Sequence, residues 1–149
     1  GVADLTTKLQ LLGPGALIWK ADLARAYRQF RVDPLDTPLL ALQVEGKYYL
    51  DLCPSFGCRS SASACQRTSN AVVFLMRGKG FFTLAYLDDF AGCDATLQQA
   101  SAAYEAFLAL TDDLGLQLSP HKCVPPSTRI EWLGFEIDTI SMTIAIPPA

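Results

Sequence analysis

Residues 81–93 read Phe-Phe-Thr-Leu-Ala-Tyr-Leu-Asp-Asp-Phe-Ala-Gly-Cys, two apolar runs separated by a pair of adjacent acids. Runs this short and apolar suit strands, and the acids mark the turn of a hairpin. Within one strand, neighbouring side chains point to opposite faces, so adjacent acids would diverge. At the tip of a tight hairpin both can lean toward the same end of a sheet. The flanking strands are apolar enough to be buried, and carboxylates at a buried edge are costly unless a positive charge neutralises them. A divalent cation is the simplest such charge. Taken alone, Asp-Asp reads first as a solvated turn, and the rest of the chain reverses that preference.

A second acid stands in a similar place. Ala16-Leu17-Ile18-Trp19-Lys20-Ala21 reads as a buried strand arriving at Asp22, before a short helical turn over 24–29. Asp22 would cap that turn, or would join Asp88 and Asp89 if the two strands are neighbours. Three such carboxylates offer the hard oxygen ligands that Mg²⁺ prefers. Two ions about 4 Å apart serve in-line displacement at phosphorus.

The remaining pattern supplies the frame. Residues 6–12 end a helix before Gly13-Pro14-Gly15, and Asp33-Pro34-Leu35-Asp36 is a turn. Residues 39–44 and 47–52 flank Glu45-Gly46 as a hairpin, and Ser60 to Arg77 reads as a helix capped by Ser60 or Ser61 and ended by Gly78. Leu97, Ser101, Tyr104, Leu108, Thr111 and Leu114 mark one stripe of a further helix, closed by Gly115. Residues 120–126 read as an irregular connection; residues 130–137 and 142–146 form a last hairpin turning at 138–141. Hairpin-joined strands interleaved with helices predict an α+β fold, a largely antiparallel sheet with helices packed on one face.

Composition narrows the class. At 149 residues the chain is one domain by size, with 50% hydrophobic and 18% charged residues and no run of transmembrane length. A mean hydropathy of +0.22 suggests apolar surface that belongs against neighbouring domains. The chain opens on Gly1 without a signal pattern and closes on Pro147-Pro148-Ala149, which reads as a piece of a longer polyprotein. The net charge of −3 argues against autonomous nucleic-acid binding. Five cysteines without a Cys-x-x-Cys pair, and one histidine, make a zinc site a poor fit. An odd cysteine count fits a reducing compartment, which places the chain inside the cell, in cytoplasm, nucleus or both, with no membrane partner.

Five segments, taken in order, resemble one family. Asp22-Leu23-Ala24-Arg25-Ala26-Tyr27-Arg28-Gln29 resembles motif A of reverse transcriptases, and Tyr86-Leu87-Asp88-Asp89 their motif C. Between them, Phe56-Gly57 through Gln66-Arg67 is similar to motif B, while residues 114–123 and 132–138 are similar to motifs D and E. The motifs span residues 16–138. Ala26-Tyr27-Arg28, Tyr86-Leu87-Asp88-Asp89-Phe90 and residues 133–139 most resemble DIRS-type, tyrosine-recombinase retrotransposons, with Ty3-like elements as the near alternative. Two departures stand out: Ser55 separates Pro54 from Phe56, and Ala62 stands where the family often has proline.

The resemblance implies a polymerase palm with a ferredoxin-like or RNA-recognition-like core over residues 1–149, a small part of the fingers, and a primer-grip hairpin at its end. It implies RNA-directed DNA synthesis, adding dNTPs to a primer 3′-hydroxyl on a primed RNA or DNA template. Two Mg²⁺ ions, or Mn²⁺ in their place, would be held by Asp22, Asp88, Asp89 and the carbonyl of Leu23. Tyr27 would be the steric gate. Phe56, Gly57, Gln66 and Tyr86 would form the nucleotide pocket, and Lys122 would act as general acid toward pyrophosphate. Trp132, Leu133 and Gly134 would hold the primer end. The fingers, thumb and RNase H regions, which would carry much of the basic charge, lie outside this chain. The competing expectations are a sheet that binds RNA without chemistry and a degenerate copy that keeps the fold alone.

Overall fold

The computed structural model describes residues 1–147; Pro148 and Ala149, the last two residues of the expected domain, lie outside the described residues. Helix α1 (Val2–Leu12) leads into β1 (Leu17–Asp22), and a hairpin of β2 (Ala41–Val44) and β3 (Lys47–Leu50) follows. Helix α2 (Arg59–Gly78) precedes the hairpin of β4 (Thr83–Tyr86) and β5 (Asp89–Asp94), and α3 (Leu97–Asp113) comes next. Strands β6 (Val124–Ser127), β7 (Arg129–Trp132), β8 (Phe135–Asp138) and β9 (Thr143–Ala145) complete the order.

The main sheet has the order β4-β5-β1-β6, and every neighbour is antiparallel. Alternation along β1 and β5 divides the core in two. Ile18, Ala91 and Cys93 pack with Leu5 and Leu9 of α1 and with Ile130, Trp132 and Ile137 of the last strands. Trp19, Ala21 and Phe90 pack with Cys65, Val72 and Met76 of α2 and with Ala103 and Phe107 of α3. Both faces of β1 and β5 are therefore covered, which is why these strands read as continuous apolar runs rather than alternating ones. The α+β, antiparallel expectation holds, and α2 and α3 share one face; α1 covers the other beside the last strands.

Four local expectations change. The buried stripe of α3 is Ala100, Ala103, Phe107 and Thr111, whereas Leu97 and Leu114 are exposed. The small alanines let the helix approach the sheet, so Phe107 can reach the rings of Trp19 and Phe90 at 5.0 and 4.9 Å. The expected irregular connection contains β6, whose Pro125 and Pro126 are tolerated because the strand lies at the sheet edge. The last hairpin is a three-stranded meander, because Leu133 and Gly134 turn with φ of 51° and 77°. Finally, Cys58 rather than Ser60 or Ser61 takes the N-cap position of α2, since the Ser61 hydroxyl donates instead to the Ser55 carbonyl at 2.9 Å.

The β2–β3 hairpin forms as expected on Glu45-Gly46, with φ of 50° and 76°, but stands apart from the main sheet with all its strand residues exposed. Leu39 and Leu40 belong to a 3₁₀ turn before it.

Candidate active site

Strand register builds the site. Asp22, the last residue of β1, pairs with Asp89, the first residue of β5. The Leu23 N–H donates to the Asp88 carbonyl at 3.0 Å, which ties the end of β1 to the hairpin tip. Leu87 and Asp88 are the two loop residues between β4 and β5, and Leu87 has a left-handed φ of 52°. A leucine in that region is strained, a condition that persists only where the surroundings enforce it. The segment after α3 closes the other side: the Ser119 N–H donates to the Asp22 carbonyl, and the Ala24 N–H to the Gln117 carbonyl, both at 2.8 Å.

Asp22, Asp88, Tyr27, Phe56 and Lys122 line one cleft of about 370 Å³. The Asp22 side chain is only 7% exposed, and Lys122 Nζ donates to its Oδ2 at 3.0 Å. That hydrogen bond, together with the carboxylate charges, holds the Lys122 ammonium above the ordinary lysine range. The other oxygen, Asp22 Oδ1, is buried and has no hydrogen-bond partner among the described residues. Asp89 is raised above the ordinary carboxylate range, first by burial and then by the Asp88 and Asp22 charges. Negative charge thus accumulates where the sheet ends, and Lys122 and Lys20 offset part of it.

This arrangement suits a hard divalent cation. The orphaned Oδ1, the adjacent Asp88 and the all-oxygen donor set fit an ion that keeps waters and takes its remaining ligands from a substrate. Among the described residues, no three His, Cys, Asp or Glu side chains are grouped so that they could hold a metal ion by themselves. Asp22, Asp88 and Asp89 are neighbours at the strand ends, but they do not form the expected three-carboxylate group: only Asp22 and Asp88 line the cleft.

Tyr27 and Phe56 meet edge to face, ring centroids 5.2 Å apart, and form one wall. Gly57 adopts φ of 82°, and a Cβ there would meet nothing within 4 Å, so backbone conformation rather than close approach accounts for it within this chain.

The family model for reverse transcriptase (RNA-dependent DNA polymerase) matches residues 2–137. The chain belongs to the reverse transcriptase family. Among its relatives, Polyprotein P3 of Commelina yellow mottle virus is 27% identical over 130 residues, 87% of this chain and 7% of that protein. Protein P of duck hepatitis B virus (strain Germany/DHBV-3) is 26% identical over 145 residues, 95% of this chain and 18% of that protein. The chain therefore spans less than a fifth of the length of these relatives. The fold is similar to the foamy viral protease-reverse transcriptase solved with an RNA/DNA hybrid, with a TM-score of 0.75 and 17% identity over 83% of this chain and 16% of that one. A second structure of that protein, with dsDNA, gives a TM-score of 0.77 at 16% identity, over 88% of this chain and 26% of that one. The architecture is that of a reverse transcriptase palm.

The other motif residues of this reverse transcriptase palm fall in several places. Gln66 turns toward the hairpin tip, where its Oε1 accepts from the Leu87 N–H at 2.8 Å, and does not line the cleft. Tyr86 is exposed at the end of β4. Trp132 is 1% exposed and lies inside the core, so of the three expected primer-grip residues Leu133 and Gly134 reach the surface. Gln29 was missing from the expected roles. Its amide donates to the carbonyls of Ala24 at 2.6 Å and Gln117 at 2.8 Å, and its Oε1 accepts from the Gln117 N–H at 2.8 Å. It thereby joins motif A to motif D. Only its place in motif A hinted at this, because a long-range backbone contact leaves no local pattern. Among the described residues, no helix is long and apolar enough to cross a membrane.

Proposed function

We propose that the chain is the palm, with a small part of the fingers, of an RNA-directed DNA polymerase that extends a primer on an RNA or DNA template with dNTPs. The observation that carries this reading is the convergence of Asp22 and Asp88 on one cleft by strand register. A sheet that only binds RNA has no use for an orphaned buried carboxylate oxygen beside a second acid.

Asp22 Oδ1, the Leu23 carbonyl and Asp88 would hold two Mg²⁺ ions, or Mn²⁺, with Asp89 supporting from the paired strand. When bound, such ions lower the pKa of an attacking hydroxyl and offset charge developing at phosphorus. The primer 3′-hydroxyl gives up its proton to solvent, and its O3′ forms a bond to the α-phosphorus as the bond to the pyrophosphate oxygen breaks. Lys122, kept protonated by its carboxylate neighbours, carries a proton at Nζ toward that leaving oxygen. The ring of Tyr27, fixed by Phe56, would lie beneath the sugar and exclude a 2′-hydroxyl. Tyr27→Ala is expected to lower discrimination against ribonucleotides by about a hundredfold, read as the ratio of kcat/KM for dNTP and rNTP.

The acidic balance of this chain fits a longer protein whose fingers, thumb and RNase H regions supply basic surface for template and primer. The element type we favour is DIRS-like, with Ty3-like next, on the residues around motifs A, C and E, acting within the cytoplasm or nucleus. The test is extension of a primed template by a protein that joins this chain to flanking fingers and thumb. Extension dependent on Mg²⁺ or Mn²⁺ is expected. Absence of incorporation with either ion would overturn the reading and leave a degenerate copy.

A further inference from the structure

The tip of the acid hairpin is held by α2 as well as by the end of β1. Leu87 carries the strained left-handed φ of 52°, directly before Asp88. Both of its backbone polar groups are satisfied by one helix face. Its N–H donates to Gln66 Oε1 at 2.8 Å, and its carbonyl accepts from the hydroxyl of Ser69, which is fully buried. Gln66 is oriented in turn by donating from Nε2 to Asn70 Oδ1 at 2.9 Å. Gln66 and Asn70 lie one helical turn apart, with Ser69 beside them, so a single stretch of α2 presents the whole set.

We infer that Gln66 and Ser69 are positioning residues that clamp Leu87 in its left-handed conformation and so aim the Asp88 carboxylate into the cleft. The inference rests on the polymerase reading for its consequence, and on hydrogen bonds alone for its geometry. Gln66 acts through Leu87 and does not touch a reacting group. Without the clamp, the Leu87 peptide can relax toward ordinary backbone angles, and Asp88 turns with it.

The test is Gln66→Leu in a protein that carries this chain with its flanking regions. Hydrogen exchange at the Leu87 amide should quicken about tenfold or more, while the amides of α2 and β5 keep their protection. Turnover should fall about tenfold to a hundredfold with the KM for dNTP within about threefold, because orientation is lost and binding is not. A general weakening of α2, seen as faster exchange along the helix, would overturn the clamp, as would unchanged exchange at Leu87. If Gln66→Leu does not fold, Asn70→Ala at an exposed position removes only the group that orients Gln66. It should quicken Leu87 exchange about twofold to threefold, and unchanged exchange there would equally overturn the proposal. The two readings separate cleanly. Selective loss of Leu87 protection in a protein whose wild type incorporates no nucleotide keeps the clamp and removes the polymerase. A wild type that incorporates, matched by a Gln66→Leu variant of equal turnover, removes the clamp alone.

Discussion

With Asn in place of Asp88, nucleotide incorporation is expected to fall about a thousandfold or more while the fold stays intact. Asn matches Asp in size and keeps the backbone hydrogen bond from Leu23 to the carbonyl of residue 88. It loses the charge that faces the cleft beside Asp22. Stability should not fall with activity. Burial, then Asp88 and Asp22, raise Asp89 above the ordinary carboxylate range. A carboxyl raised in the folded state contributes fully below its unfolded pKa, and its contribution is lost as pH rises through the folded value. At neutral pH the ionised Asp89 therefore opposes folding, and removing the Asp88 charge lessens that opposition. Urea unfolding at pH 7 should show a midpoint equal to or above the wild type, with single-turnover incorporation measured on the same preparation. A variant that incorporates at the wild-type rate would remove Asp88 from the chemistry.

Gly92→Ala carries the largest expected cost in stability. A Cβ at Gly92 would lie 2.4 Å from two ring carbons of Trp19, its directly paired residue on β1. Trp19 is fully buried and boxed by Tyr104 and Phe107, with ring centroids at 5.8 and 5.0 Å. The ring cannot step aside, so β1 and β5 must separate, at a cost of about 3 kcal/mol or more. The same two strands set the pairing of Asp22 with Asp89, so activity should fall alongside stability. Trp19→Phe removes the indole atoms in the clash. The double variant is therefore expected to be more stable than the sum of the two single effects by at least about 1 kcal/mol in urea unfolding. Strict additivity would show that the strands adjust around Gly92 without meeting the ring.

The hairpin of 81–93 and the strand ending at Asp22 were legible because each pairs an apolar run with an acid at its end, a local pattern. The identity of the buried face of α3 was not. The stripe read through Leu97, Ser101, Tyr104, Leu108, Thr111 and Leu114 places only Thr111 in the core, with Leu97 and Leu114 exposed, whereas Ala100 and Ala103 face the sheet because they are small. The strand at β6 was hidden by its prolines, which argue against a strand wherever the edge position is unknown. Leu133-Gly134 looked like the continuation of an apolar strand, and only the left-handed backbone of both residues reveals a turn. In the site, Asp22, Asp88, Tyr27, Phe56 and Lys122 line one cleft, a grouping that brings together segments far apart in the sequence. The reach of Gln29 to Gln117 and of Gln66 to Leu87 depends on how distant segments pack, which no spacing encodes.

The two prolines of β6 also decide how this sheet ends. An open sheet edge displays unpaired N–H and C=O groups that can recruit a strand from another molecule, a hazard for a chain with half of its residues apolar. Pro125 and Pro126 have no N–H to offer, and β6 meets β1 at only two register positions, with an irregularity between them. The border beside β6 thus offers fewer backbone donors to an added strand. On this flank the sheet ends by running out of donors, while the acids sit at the end of the same sheet where β1 and β5 meet.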